Sequence, residues 1–344
     1  MSLLTQLKRI VEQHEILTRT EAADLLGSIL QGEATELELA ALLAALAIRG
    51  ETPTEIAGFV DAMRAAATPI PLTAEERSVL VDSCGTGGDH SNTFNISTAA
   101  ALVAAAAGAT VAKHGNRAVT SRSGSADVLE ALGIPVDLDP VAAADALRRH
   151  RFAYLHAPSH HPAAKVALPV RRALGIRTIF NILGPLSNPA GAQAQVMGVY
   201  SAHLVPIVAE TMVLLGTRHA FVVHGDTGSP VGGMDELSIS GPSQVAEVRD
   251  GAIVLRTLVP EDFGVQRASM TTIAGSNGHN NAAILRSIFT GEIGPRRDIV
   301  LLNAAAVLVA ADCAHDLPAG LSLAVEAIDS GRVTELVANL GRIP

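Results

Sequence analysis

From residue 78 onward, short runs rich in branched apolar residues alternate with alanine-rich stretches, and this alternation constrains the fold more than any other feature. Strand, helix and strand in succession favour parallel pairing, because each crossover helix packs back onto the sheet and covers a face of it. The candidate strands are 78–83, 110–113, 152–156, 195–200 and 220–223, and the candidate helices are 96–107, 126–132, 141–149 and 204–215. Asp139-Pro140 gives the 141–149 helix an N-cap followed by a proline at its first position. Residues 237–258 differ: three short β runs, separated by Gly241-Pro242 and Asp250-Gly251, read as antiparallel hairpins at a sheet edge. Helices return at about 280–290, 297–311 and 320–341.

The first 75 residues carry no such alternation. Thr followed three residues later by Glu, a capping box that satisfies two orphan backbone donors reciprocally, occurs as Thr18/Glu21, Thr35/Glu38, Thr52/Glu55 and Thr73/Glu76. Gly32, Gly50 and the run Thr68-Pro69-Ile70-Pro71 mark the stops. Leu37, Leu39, Leu42, Leu43 and Leu46 form an apolar face broader than short helices bury alone, so a homodimer through this bundle is expected. The fold class is α/β, a mainly parallel sheet flanked by helices, with a small N-terminal all-α domain. The expected division is a helical bundle over 1–75, joined by helices from about 160–190, and an α/β domain over 76–344.

Hydrophobic residues fill 48% of the 344 positions, enough for a large core. The 25 Lys+Arg against 34 Asp+Glu leave a formal charge of −9, and only 3% of residues are aromatic with no Trp. Neither a general basic surface for nucleic acid nor a base-stacking platform is expected from that balance. Residues 1–15 carry Lys8, Arg9, Glu12 and Glu15 rather than a continuous apolar core, and 96–112 is too short and alanine-rich for a membrane span. The expectation is a soluble cytoplasmic protein whose Cys84 and Cys313 stay reduced.

Two loops concentrate the chemistry. Asp82-Ser-Cys-Gly-Thr-Gly-Gly-Asp89, then His90 to Thr98, leaves a strand and enters a helix. Glycines there let backbone N–H groups and a helix N-terminus approach phosphate, while Asn95, Ser97 and Thr98 add side-chain donors. Either Asn95 or Ser97 is placed to cap the helix, and Asp89 beside a phosphate needs a hydroxyl or a metal to face. Lys113-His-Gly-Asn-Arg-Ala-Val-Thr-Ser121, with Arg122 and Ser125 beyond, combines cations with hydroxyls in a glycine-containing loop, a composition suited to a polyanion. A tight turn and a solvated basic loop are the plainer readings of these two segments.

Gly-Thr-Gly-Gly-Asp at 85–89, Asn-Ile-Ser-Thr at 95–98 and Lys-His-Gly-Asn-Arg at 113–117, in this order and spacing, resemble the anthranilate phosphoribosyltransferase family. Val170 to Pro189, Val223-His-Gly225 and Met234-Asp-Glu-Leu237 are similar to further segments of it, so the resemblance spans essentially the whole chain. It implies transfer of a phosphoribosyl group from phosphoribosyl pyrophosphate (PRPP) to the amino group of anthranilate, in tryptophan biosynthesis, with two Mg2+ ions. Carried over by position, Gly85, Gly88, Asp89, Thr93, Asn95, Ile96, Ser97 and Thr98 bind PRPP. Lys113, His114, Gly115, Asn116, Arg117, Ala118, Val119, Thr120, Ser121 and Ser125 complete that site. Asn116 and Arg171 face anthranilate, with Gly85 at the boundary; Ser97 touches one Mg2+, and Asp235 with Glu236 binds the other. By chemistry alone Arg172 suits the anthranilate carboxylate as well as Arg171; the motif alignment favours Arg171.

His156, His160 and His161 precede Arg171 and read as satisfied polar groups rather than catalysts, whereas His114 sits inside the phosphate loop. Two departures from the family pattern stand out: a glycine-rich insertion over Asp226–Met234, and His90 where a small residue is usual. The insertion leaves the approach of Asp235 and Glu236 to metal open. Rival readings are a pyrimidine-nucleoside phosphorylase and a non-catalytic relative that binds nucleic acid. Asn116-Arg117 and the Asn-Ile-Ser-Thr run favour the transferase over both.

Overall fold

The computed structural model describes residues 3–118, 122–229 and 232–343. The chain opens with α1 (Leu3–Glu12), α2 (Arg19–Leu30), α3 (Glu36–Arg49), α4 (Pro53–Ala65) and the short α5 (Ala74–Ser78). All four anticipated capping boxes close; the Thr35 N–H, for instance, donates to the Glu38 carboxylate at 2.9 Å. The fourth box starts α5 and delays the first strand, expected at 78–83, to β1 (Leu80–Gly85).

There follow α6 (Ile96–Ala106), β2 (Thr110–Gly115), α7 (Ser125–Leu132), α8 (Pro140–His150), β3 (Phe152–His156) and α9 (Ala157–His160). Next come α10 (Leu168–Leu174), α11 (Phe180–Leu186), β4 (Ala194–Gly198), α12 (Leu204–Leu214) and β5 (His219–Asp226). The sheet order is β3-β2-β1-β4-β5, all parallel. It continues antiparallel through β7 (Ser243–Arg249) and β8 (Ala252–Leu258), with the two-residue β6 (Gly233–Met234) paired on the end of β5.

Two expectations need correction. Of the three β runs expected over 237–258, the first is not a strand, because its backbone donors go elsewhere. Leu237 N donates to Asn303 Oδ1 at 2.9 Å, and Ser238 N and Ser240 N donate to serine hydroxyls. The helix expected over 320–341 is two, α15 (Leu317–Asp329) and α16 (Arg332–Leu340), because Gly331 turns left-handed at φ 79° between them. Before them, α13 (Gly278–Phe289) and α14 (Pro295–Ala310) fall where expected.

Alternation along the strands sends Val196 and Phe221 to one face, against α6 and α14, which is buried from Ile299 to Ala310. Met197, Ala220 and Val222 face the other way, against α12 and the bundle, in a core that also holds Ile56, Phe59, Val170, Phe180 and Leu183. α10 and α11 therefore pack with the N-terminal helices, and the bundle closes one face of the sheet. Arg49 and Glu55 seal the bundle: the fully buried Glu55 carboxylate takes both oxygens to Arg49 Nη2 at 2.6 Å and accepts from Leu17 N at 3.0 Å.

Candidate active site

In an open parallel sheet the ligand crevice forms where the strand order reverses, outside the carboxyl ends of the strands. Here the reversal lies between β1 and β4, whose terminal glycines, Gly85 and Gly198, are cross-strand partners. Asp235 sits directly over both; a Cβ at either glycine would run into it. The insertion that left this approach open is anchored by β6 pairing Gly225 with Met234, which delivers Asp235 to the crevice. Gly87 and Gly88 take positive φ, 63° and 72°, a conformation that favours glycine.

Gly87 N donates to Asp235 Oδ2 at 2.8 Å, and Asp235 N donates to Asp89 Oδ2 at 3.3 Å. Oxygen atoms of Asp89, Asp235 and Glu236 all lie within 4.8 Å of one another. Burial, then the Asp89 charge, pushes the Asp235 carboxyl up to about 7; burial, then Asp235, pushes Glu236 well above the usual carboxylate range. Glu236 Oε2 is buried without a hydrogen-bond partner. Crowded carboxylates with an unpaired buried oxygen are an incomplete electrostatic arrangement, and an oxygen-preferring divalent cation such as Mg2+ fits it. Asp89 thus joins the acidic pair, the alternative its place in a phosphate loop had left open.

The phosphate side is less direct than the motifs suggest. Ser97, at the first turn of α6, lies 3.5 Å from Lys113 Nζ, but the Lys113 ammonium is turned inward, 2% exposed, onto the Ser83 carbonyl. Burial lowers its pKa, and Asp82 opposes that shift. Ile96 and Thr98 are also buried, so their side chains support the loop from behind. Asn95 takes the N-cap position of α6 without a side-chain capping bond; its amide instead ties Ser123 at 3.2 Å and Asn281 at 2.8 Å to the loop. Thr93, half-buried, pairs with Ala274 in an isolated bridge.

In the basic loop, Asn116 Oδ1 accepts from Arg117 N at 2.7 Å, and Ser125 Oγ lies between the Asn116 carbonyl and Tyr154 Oη. The Arg117 guanidinium turns away to a two-pronged pair with Glu130 at 2.6 Å, which raises its pKa. Ala118 N donates to Asp127 at 3.1 Å, whereas Val119, Thr120 and Ser121 lie outside the described residues. Beneath both loops the buried Asp82 carboxylate accepts from Asn188 Nδ2 at 2.8 Å and His114 N at 3.1 Å. That strut joins β1, β2 and the 180s segment, and the reading of the motifs missed it. A carboxylate in a strand expected to be buried was the available signal.

On the acceptor side Arg171 is half-buried, 5.3 Å above the Phe180 ring, while Arg172 is exposed. Burial lowers the Arg171 pKa, and among the described residues no carboxylate lies within ion-pair reach. The histidines are not the satisfied polar groups expected. His160 and His161 bury both ring nitrogens without a hydrogen bond of ordinary geometry, and His156 holds Asp137 at 2.6 Å through Nδ1 alone. His114 packs against His161 at 5.1 Å; burial and that neighbour push it down to about 3, so its ring is neutral. Cys84 is buried with its thiol pKa raised, which is inert chemistry.

Two family models cover the chain: the helical bundle domain of a glycosyl transferase family over residues 5–67, and its a/b domain over 77–334. The anthranilate phosphoribosyltransferase of Chloroflexus aggregans is 51% identical over 321 residues, 93% of this chain and 92% of its own. The crystal structure of the same enzyme from Thermus thermophilus superposes with a TM-score of 0.91 at 42% identity, covering 100% of this chain and 99% of that one. The Saccharomyces cerevisiae enzyme in complex with PRPP and Mg matches at TM-score 0.88 and 28% identity, covering 98% and 96%. A complex of that yeast enzyme with 4-fluoroanthranilate matches at TM-score 0.84 and 26% identity, with the same coverage.

Proposed function

The chain belongs to the anthranilate phosphoribosyltransferase family, and we propose from that premise how its residues divide the work. It is a glycosyltransferase of tryptophan biosynthesis that moves the phosphoribosyl group of PRPP to the amino group of anthranilate, releasing pyrophosphate, and it uses Mg2+. The observation that supports the division is the cluster of crowded carboxylates under the glycine loop, and beside it we set the half-buried Arg171 guanidinium, which has no carboxylate partner among the described residues. Gly85, Gly88, Asp89, Thr93, Asn95, Ser97, the 115–121 loop and Ser125 hold PRPP, with Lys113, His114, Ile96 and Thr98 supporting them from the core. Arg171 grips the anthranilate carboxylate in a fork, and Asn116 and Gly85 border the acceptor.

In the reaction the bond from C1 to pyrophosphate breaks, the amine nitrogen bonds to C1, and an amine proton is lost. C1 becomes oxocarbenium-like, so the protein's task is to receive charge on the leaving group and align the amine, more than to supply a strong base. Asp89, Asp235 and Glu236 would hold Mg2+, which would supply positive charge to the leaving pyrophosphate; we assign a second ion to the Ser97 side. The exposed Leu37 and Ile48, 80% and 87% accessible, support a homodimer through the bundle. Among the described residues no helix is long and apolar enough to cross a membrane; a cytoplasmic, reducing setting and no nucleic-acid partner complete the proposal.

The test is to mix protein, Mg2+, PRPP and anthranilate and follow anthranilate fluorescence. Decay that stops on chelation of Mg2+ supports the reading. Unchanged fluorescence, with phosphorolysis of a pyrimidine nucleoside instead, overturns it.

A further inference from the structure

We propose that Arg177, six residues beyond Arg171 in the same segment, serves the other substrate: it positions the glycine loop for PRPP. Its guanidinium carbon lies over the Tyr200 ring, 4.5 Å from the centroid, and Nη2 donates to the Gly88 carbonyl. Arg177 is exposed, and an exposed arginine ordinarily pairs with a carboxylate or moves freely; among the described residues this one has no carboxylate partner and is held on two sides. The seat is itself fixed. Tyr200 packs against the core shared by sheet and bundle, and its N–H donates to Thr86 Oγ1 at 3.0 Å, inside the loop being held.

The consequence is directional. The carbonyl and the following N–H of one peptide unit point opposite ways, so pinning the Gly88 carbonyl fixes where the Asp89 N–H points. It also fixes Asp89, one of the clustered carboxylates. Gly87 and Gly88 have the left-handed backbone of residues with many alternatives, and nothing in their own side chains selects one. Arg177 supplies the selection from outside the loop, which makes it a positioning residue rather than one that touches reacting atoms.

This rests on the transferase reading, and the test separates the two. Binding of PRPP with Mg2+ and no anthranilate is measured by calorimetry for the wild type, Arg177→Ala, Arg177→Lys and Tyr200→Ala, alongside KM for each substrate. Arg177→Ala is expected to weaken PRPP on the order of 10-fold, the combined loss of an exposed cation–π contact and a charged hydrogen bond. The KM for anthranilate should stay within about threefold of the wild type, because the uniform acceptor contacts at Arg171 remain. Arg177→Lys should recover only part, since an ammonium cannot both lie over the ring and donate to the carbonyl. Tyr200→Ala should follow Arg177→Ala, and it decides the matter if Arg177→Ala does not fold. No PRPP binding by the wild type sinks the transferase reading; equal binding by wild type and both alanine variants overturns the role of Arg177 alone. Equal loss of both substrates also overturns it, marking a general structural contact.

Discussion

The helical bundle and the crevice at the ends of β1 and β4 treat polar groups in opposite ways. In the bundle a buried charge is answered: Glu55 meets Arg49, two backbone donors and the Thr52 hydroxyl, and every capping box closes within three residues. Around the crevice, polar atoms are buried and left open: Glu236 Oε2, Thr98 Oγ1, His114 Nε2 and the rings of His160 and His161. Fully satisfied networks stabilise, whereas open buried groups cost stability and persist where a ligand completes them. The difference separates what holds this molecule together from what it binds with.

Removing one member of the bundle's buried pair should give the largest effect. Glu55→Ala leaves Arg49 without its partner and Leu17 N without its acceptor, and is expected to cost about 3–5 kcal/mol in denaturant unfolding. A loss below about 1 kcal/mol would place the bundle's strength elsewhere.

The crevice should respond the other way round. Asp235→Ala with Glu236→Ala is expected to lower turnover ~10²–10³-fold and raise the Mg2+ requirement. Its melting temperature should hold or rise, because crowded carboxylates are relieved. A double variant that unfolds while the residual folded fraction keeps full turnover would erase the contrast.

Much of the contrast was legible in the sequence, for a physical reason. A capping box is complete within four residues, so Thr35 and Glu38 announce it without tertiary information. The glycine loop likewise shows itself by composition. Asp235 over Gly85, by contrast, joins positions about 150 apart and depends on β4 lying beside β1 and on β6 folding back against β5, an arrangement no local pattern encodes. Arg117 illustrates the same limit: its motif suggests a phosphate contact, yet Glu130, one helix later, holds its guanidinium.

Glu51 is the bundle's exception and gives the smallest predicted effect. Burial, then the neighbouring Glu55, pushes its carboxyl up to about 7 from 4.5, and Oε1 has no partner. The folded state therefore keeps a proton that the unfolded state has released between those values, so stability falls as pH rises through that window. Glu51→Gln should flatten this slope and gain at most about 3–4 kcal/mol at pH 8. A slope unchanged by Glu51→Gln would assign the titration to another group.

The central claim is that one crevice has two chemically distinct sides, carboxylates and glycine loop for PRPP, Arg171 for the acceptor. Steady-state kinetics of Arg171→Ala, with each substrate varied in turn, tests it most directly. The guanidinium grips the acceptor carboxylate in ground and transition states alike, so KM for anthranilate should rise about 10–100-fold, with kcat and KM for PRPP nearly unchanged. A variant that loses PRPP while keeping anthranilate would contradict the assignment of the two sides.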